Sequence, residues 1–344
     1  MYFATLYYAV HSIQSLSMTE NITLEAIIPE SLNGLRVDQA LAQLFSEYSR
    51  GQLTKWIKAG DVLVNQQHCR PKDAVRTGDQ VIINAQPVIH EDNWQAEAIA
   101  LDIVYEDDDV LIINKAAGMV VHPGAGNQHG TMVNALLAHA PQLSQIPRAG
   151  IVHRIDKDTT GLLMVAKTLQ AHHSLISQLQ QRSVLREYQA IACGVFTAGG
   201  TVDEPIGRHH VDRKRMAVTQ NGKPAVTHYR VEERFRAHSH IRCKLETGRT
   251  HQIRVHMAHI RHPLLGDPLY GGRFKIPKGM TETCLNALQS IRRQALHAGL
   301  LGFDHPVTGE AVSWQIPLPD DMQNLLMLLR TDAASHTASS GELN

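Results

Sequence analysis

Between two glycines the chain reads Gly150-Ile-Val-His153-Arg154-Ile155-Asp156-Lys157-Asp158-Thr159-Thr160-Gly161, which crowds two cations, two carboxylates and an imidazole ahead of an apolar run. Residues of these types suit a carboxylate that attacks a substrate or exchanges protons with it while cations orient both. Asp-x-Asp-Thr is also an ordinary turn composition, so the run alone is compatible with a charged surface turn. Three further segments weigh against that bland reading. They are Asn114-Lys115-Ala116-Ala117-Gly118-Met119-Val120-Val121-His122-Pro123, Arg186-Glu187-Tyr188, and Gly248-Arg249-Thr250-His251-Gln252-Ile253-Arg254-Val255-His256.

Other chemistries fit less well. The 21 histidines invite a metal reading. Yet among His251, His256, His259 and His262 only His256 and His259 share a helical face, and no Cys or carboxylate stands at ligand spacing, so no metal is expected. Cys69, Cys193, Cys243 and Cys284 contain no Cys-x-x-Cys pair and read as buried thiols. No run approaches the roughly 18 to 20 apolar residues of a spanning helix, and no Lys or Arg opens a signal peptide, so a cytoplasmic protein is expected. Charge is balanced, 33 Lys and Arg against 33 Asp and Glu, but unevenly placed. Arg36 to Arg76 holds seven cations against four acids, Arg208 to Arg254 twelve against four, and Glu91 to Asp109 eight acids with no cation. Basic blocks in a neutral chain suit a polyanionic partner.

These residues must be held by two kinds of element. Val37, Ala40, Leu41, Leu44, Phe45 and Tyr48 recur at helical spacing, which predicts a helix over 36–48. Ser49 and Gln52 predict a capping box opening a second helix that ends at Gly60. Short strands are predicted at Val62–Asn65 and Gln80–Ile83. This αα-then-β unit, with Arg36, Arg50, Lys55, Lys58 and Arg70 along it, resembles an S4 RNA-binding module. Beyond it, Ile103–Tyr105 and Val110–Ile113 predict a hairpin. Further strands are predicted at Met119–Val121, Leu162–Ala166, Tyr188–Cys193 and Ile241–Leu245, with helices over 131–139 and 168–182. Without regular β-α alternation the expected class is α+β, a mainly antiparallel mixed sheet flanked by helices. The expected organisation is an N-terminal extension at 1–17 that is non-native or disordered, with translation starting at Met18. An S4-like module at 18–85, a linker at 86–100, a larger domain at 101–330 and a disordered tail at 331–344 follow.

With Gly266-Asp267-Pro268-Leu269-Tyr270-Gly271 and Arg293-Gln294-Ala295-Leu296-His297-Ala298 continuing in order, the motifs resemble the RluA family of pseudouridine synthases over most of the chain. Two such long runs together are far more specific than a short glycine motif. The resemblance implies a cofactor-free isomerisation: an Asp breaks the N1 glycosidic bond of a uridine, the uracil rotates, and C5 joins the ribose. Asp156 stands at the matching position as nucleophile, Arg254 as its ion-pair partner, and Tyr188 as the tyrosine that stacks on uracil. Arg154 is implied as the side chain that fills the space left by the extruded base. Lys115 and Arg249 are implied as nearby charge contacts, although Ala116 departs from the Pro common after that Lys. Whether the carboxylate adds to C1′ or assists glycal formation stays open.

The implied substrate is large-subunit (23S) ribosomal RNA or its assembly intermediate, with the helix 69 stem-loop as target and the enzyme a monomer. A base-excising glycosidase would need a second carboxylate. Asp158, at i+2 in an extended segment, would face away from Asp156. A non-catalytic assembly factor would have no use for Asp156, Tyr188 and Arg254 together.

Overall fold

The computed structural model describes residues 22–341, apart from 46, 47, 49, 86–93, 125, 213 and 272–275, and the side chains of 337–341 are outside the description. The chain divides into two compact units, residues 1–92 and 93–344. The expected extension at 1–17, the start at Met18 and the Ser49 cap lie outside the described residues.

The first unit runs β1 (Ile22–Ile27), α1 (Val37–Leu44), α2 (Arg50–Ala59), β2 (Val62–Val64), β3 (Gln67–His68) and β4 (Gln80–Ala85). Its strands form an antiparallel sheet in the order β1-β4-β2-β3. Leu41, Leu53, Trp56 and Ile57 from the helices bury against Val62, Val81 and Ile83. The helical spacing therefore marks the buried face correctly. Helix α1 ends at Leu44, short of the expected Tyr48, yet Phe45 and Tyr48 still pack, the Tyr48 ring edge-on to Trp56 at 4.8 Å.

The second unit opens with β5 (Ile103–Glu106), β6 (Val110–Lys115), α3 (Met132–His139), β7 (Thr160–Ala166), α4 (Leu169–Gln181) and β8 (Leu185–Cys193). It continues with β9 (Gly200–Asp203), a two-stranded hairpin of β10 (Ile206–Arg208) and β11 (Met216–Val218), then β12 (Val226–Arg234) and β13 (His238–Leu245). Helices α5 (Gln252–His259) and α6 (Glu282–Ser290), strands β14 (Leu296–Asp304) and β15 (Ala311–Gln315), and helix α7 (Asp320–Gly341) complete it. Nine strands form one sheet, β5-β6-β7-β14-β8-β13-β12-β9 with β15 on β14, and β7 beside β14 is its parallel pair. Leu111, Ile113, Leu163 and Val165 point to the face covered by α3 and α5. Val110, Ile112, Leu162 and Met164 point to the other, against Ala171 and Leu175 of α4. A strand covered on both faces reads as an unbroken apolar run, as β6 and β7 do.

Three expectations need correction. Met119–Val121 is not a strand: the Val120 and Val121 carbonyls accept the N–H groups of Met132 and Val133, which open α3. Those amides have no partner within their own helix, so the segment serves as a cap. The linker reading fails from Trp94 onward, because Trp94 packs on the main core and Asn134 Nδ2 donates to the Gln95 carbonyl at 2.7 Å. The tail reading fails at 331–341, where α7 continues. Asp332, 2% exposed, holds it down by accepting from Arg236 at 3.1 Å and from the Thr281 N–H at 2.8 Å.

Candidate active site

The loop from Ile151 to Asp156 lies along β7. Ile151 bridges Val165, and the Met164 N–H donates to His153 Nε2 at 3.1 Å. That acceptor role requires a neutral ring, and desolvation, aided by the charge of Arg186, pushes the His153 pKa down to about 3. Gly161 explains where the motif ends: at φ 115° a Cβ would collide with the Ala298 backbone of β14. After Asp156 the chain turns, the Thr159 N–H donating to the Asp156 carbonyl at 3.1 Å. The segment is thus not extended, and the alternation that placed Asp158 on the far side does not apply. Both Asp156 and Asp158 lie close enough to Lys115 to stabilise its charge.

Arg254 projects from α5, 4% exposed, and uses three N–H groups on two carboxylates. Nε and Nη2 meet Asp267 at 2.7 and 2.9 Å, and Nη1 meets Asp156 Oδ2 at 2.9 Å. Asp267 in turn accepts the N–H groups of Leu269 and Tyr270 at 2.9 and 3.0 Å. Burial works against both charges. Their mutual contacts overcome it, holding Asp267 below the usual carboxylate range and raising the Arg254 pKa further. Asp156 is 15% exposed at its side chain, and of its two carboxylate oxygens Arg254 holds Oδ2. Arg254 is no surface helix residue, and the pairing spans 98 positions of sequence.

Tyr188 on β8 is 7% exposed, and burial raises its hydroxyl pKa, the charge of Asp156 adding to the rise and that of Arg186 opposing it. Asp156, Arg254 and Tyr188 thus converge on one side of the sheet. Lys115 does not join them as a free cation. It is 1% exposed, and Nζ donates to the carbonyls of Ala116, Met119 and Lys157 at 2.8, 3.0 and 2.8 Å. Its three donors are used up, so it clamps the turn after Asp156 and has none left for a phosphate. Burial lowers its pKa to about 8.

The RNA pseudouridylate synthase family matches residues 109–259, and the S4 domain family residues 35–81. The Ribosomal large subunit pseudouridine synthase D of Pseudomonas aeruginosa is 56% identical over 315 residues, covering 92% of this chain and 98% of its own. The chain belongs to the RNA pseudouridylate synthase family. Its counterpart in Escherichia coli, bearing the same name, is 53% identical over 93% of this chain and 98% of its own. A solved structure titled Human RNA Pseudouridylate Synthase Domain Containing 4 aligns with TM-score 0.52 at 27% identity, over 66% of this chain and 92% of that one. The α+β class, the S4 domain and the mainly antiparallel synthase sheet stand as expected.

In this synthase Arg154 is exposed next to Asp156, and Arg249 is half-buried with Nε on the Pro224 carbonyl at 3.0 Å. In the S4 domain Arg36 and Arg50 both clasp Asp38, at 3.0 and 2.8 Å, with their side chains 48% exposed. Lys55 and Lys58 are exposed one turn apart on α2. Sequence reasoning gave no role to Asp267, Tyr270, His251 or Arg186. The last had a usable signal, since at i−2 from Tyr188 on one strand it shares that residue's face. Arg186 is 6% exposed, and its Nε lacks a hydrogen-bond partner among the described residues. One group among the described residues has the makings of a metal site: Asp107, Asp109 and His305, with ligand atoms within 4.8 Å of one another. Its His305 Nε2 already meets Asp107 at 3.0 Å.

Proposed function

We propose that the synthase isomerises uridines of large-subunit ribosomal RNA, at the helix 69 stem-loop, with Asp156 as nucleophile and no cofactor. The observation that carries this reading is the Arg254 fork, which takes Oδ2 of Asp156 at 2.9 Å and two positions on Asp267, leaving Oδ1 for chemistry. An oriented, ionised carboxylate in a partly dry site is what cleavage of the C1′–N1 bond calls for, whether by addition at C1′ or through a glycal. The curated relatives matched over 98% of their length are named for the ribosomal large subunit, which supports large-subunit ribosomal RNA as the substrate class.

In this reading the uridine is extruded, Arg154 takes its place in the stack, and the C1′–N1 bond breaks. The uracil turns against the Tyr188 ring, C5 bonds to C1′ and loses its proton to solvent, and N1 takes one up. Burial keeps the Tyr188 hydroxyl protonated, which favours stacking over removal of the C5 proton. The S4 domain supplies cations for the phosphate backbone through Arg36, Arg50, Lys55 and Lys58, and the protein works as a cytoplasmic monomer on the ribosomal RNA or an assembly intermediate. Tritium release from C5-labelled uridine in large-subunit RNA tests it: wild type releases, and Asp156→Asn is slower by about 10⁴-fold or more. Equal release by both rejects the mechanism, no release by wild type rejects the substrate, and free uracil indicates a glycosidase.

A further inference from the structure

A second route reaches Asp156 from the hairpin β10–β11, a part of the fold that the proposed reaction does not use. The Met216 N–H, at the start of β11, donates to Tyr270 Oη at 2.8 Å. Tyr270 Oη lies 2.7 Å from Nδ1 of His251, the residue that caps α5. The other ring nitrogen, Nε2, lies 3.9 Å from Oδ1 of Asp156, the oxygen that Arg254 does not hold.

Proton counting along this route favours the arrangement that leaves no Tyr270 proton without an acceptor. A phenol accepts and has one proton to give. Because Oη already accepts from Met216, its own proton needs an acceptor, and Nδ1 of His251 is the one at hydrogen-bond distance. Nδ1 then carries no hydrogen, and the neutral ring has its N–H at Nε2, the nitrogen nearer the Asp156 carboxylate. The backbone points the same way. His251 sits at φ 58° and ψ 23°, a left-handed conformation that a non-glycine residue rarely adopts, held as the first turn of α5 begins. Tyr270 is itself fixed, 8% exposed, with the guanidinium carbons of Arg215 and Arg254 at 5.4 and 5.1 Å from its ring centre.

We propose that His251 is a positioning residue for the reaction, whose Nε2–H sets the orientation of the free oxygen of Asp156, and that Tyr270 and the Met216 amide lock the tautomer that makes this possible. The inference rests on Asp156 being the nucleophile. At 3.9 Å the N–H is about 1 Å beyond a hydrogen bond. It orients Oδ1 through charge and dipole without tying up the lone pair. The charges facing His251 are those of Asp156 and Asp267, which favour a protonated ring, and of Arg254 and Arg154, which oppose it. Desolvation is the largest influence and keeps the ring neutral, as the role requires.

The test is tritium release from C5-labelled large-subunit RNA, measured as kcat and KM from about pH 5.5 to 9, with melting curves for each variant. His251→Ala is expected to lower kcat by about 10- to 100-fold with KM little changed, the loss typical of a misoriented reacting group. His251→Gln, whose amide N–H reaches the same place, recovers most of that loss. Tyr270→Phe frees Nδ1 to take a proton, so the acid limb of kcat moves to higher pH. Equal kcat for His251→Ala and wild type, equal loss in His251→Ala and His251→Gln, or an unmoved acid limb in Tyr270→Phe overturns the inference. If His251→Ala melts out, His251→Gln and Tyr270→Phe decide it. Wild-type release abolished by Asp156→Asn shows that the parent reading stands whatever His251 does, and absence of wild-type release condemns that reading instead.

Discussion

In the S4 domain one aspartate is shared by two arginines, and in the synthase domain one arginine is shared by two aspartates. Asp38, 4% exposed, sits between Arg36 and Arg50, whose side chains are 48% exposed. Arg254, 4% exposed, sits between Asp156 and the fully covered Asp267 side chain. The first arrangement ends with one positive charge in excess on a wet face, the second with one negative charge in excess at a half-dry site. Water screens the first, so its geometry contributes little to stability and its cations stay available to a polyanion. Exclusion of water makes the second strong and directional, so it fixes a carboxylate oxygen in space. In the proposed reading, identical residue types serve affinity in one place and chemistry in the other, and solvent exposure makes the difference.

Removing an aspartate from each trio should break the symmetry most sharply. Asp267→Ala leaves Arg254 buried with two of its three hydrogen bonds gone, and a loss of about 3–5 kcal/mol is expected in denaturant unfolding. Asp38→Asn should cost no more than about 1 kcal/mol, because its arginines reach water. A cost for Asp38→Asn equal to that of Asp267→Ala would erase the distinction.

Acid sharpens it next. Burial foremost holds His172, His238 and His297 of the synthase domain near pKa 4. The unfolded chain takes up these protons near pH 6.5 and the folded one only near 4, so their contribution is present above pH 6.5 and falls away as pH drops towards 4. Each accounts for about 1.4 kcal/mol per pH unit within that window. Asp38 of the S4 domain, kept below its ordinary pKa by Arg50 and Arg36 against the cost of burial, loses its contribution only below about pH 4. Amide exchange followed between pH 7 and 4 should therefore show synthase-domain protection failing while S4-domain protection persists, and parallel loss in both would contradict it. The smallest effect is expected from Lys58→Gln with Lys55→Gln. RNA binding weakens and its log–log salt slope becomes shallower by roughly 0.7 to 0.9 for each phosphate no longer neutralised. An unchanged slope would move the RNA contact off α2.

Much of this was legible in the order of the residues. The 3.6-residue recurrence in α2, the Thr168 hydroxyl accepting the Ala171 N–H at the head of α4, and the apolar run of β7 are local patterns that neighbouring residues enforce. The charged run around Asp156 was legible too, although the extended segment expected there is a turn. Val120 and Val121 misled for an equally local reason: a β-branched pair looks like a strand until a helix terminus claims its carbonyls.

Which of those residues work together was decided at longer range. Composition and motif put Asp156, Tyr188 and Arg254 in the chain and the family resemblance grouped them, but Asp267, the clamp of Lys115 and the Tyr270–His251 contact depend on segments that meet only when the sheet closes. Periodicity reports which face of an element is buried, because burial of apolar area is summed residue by residue. It is silent on partners, because a hydrogen bond or ion pair between Arg254 and Asp156 is set by a distance of 2.9 Å and an angle that the 98-position separation in sequence must deliver. The catalytic candidates were therefore written in the sequence, and their geometry, including which oxygen of Asp156 stays free, was settled by the tertiary fold alone.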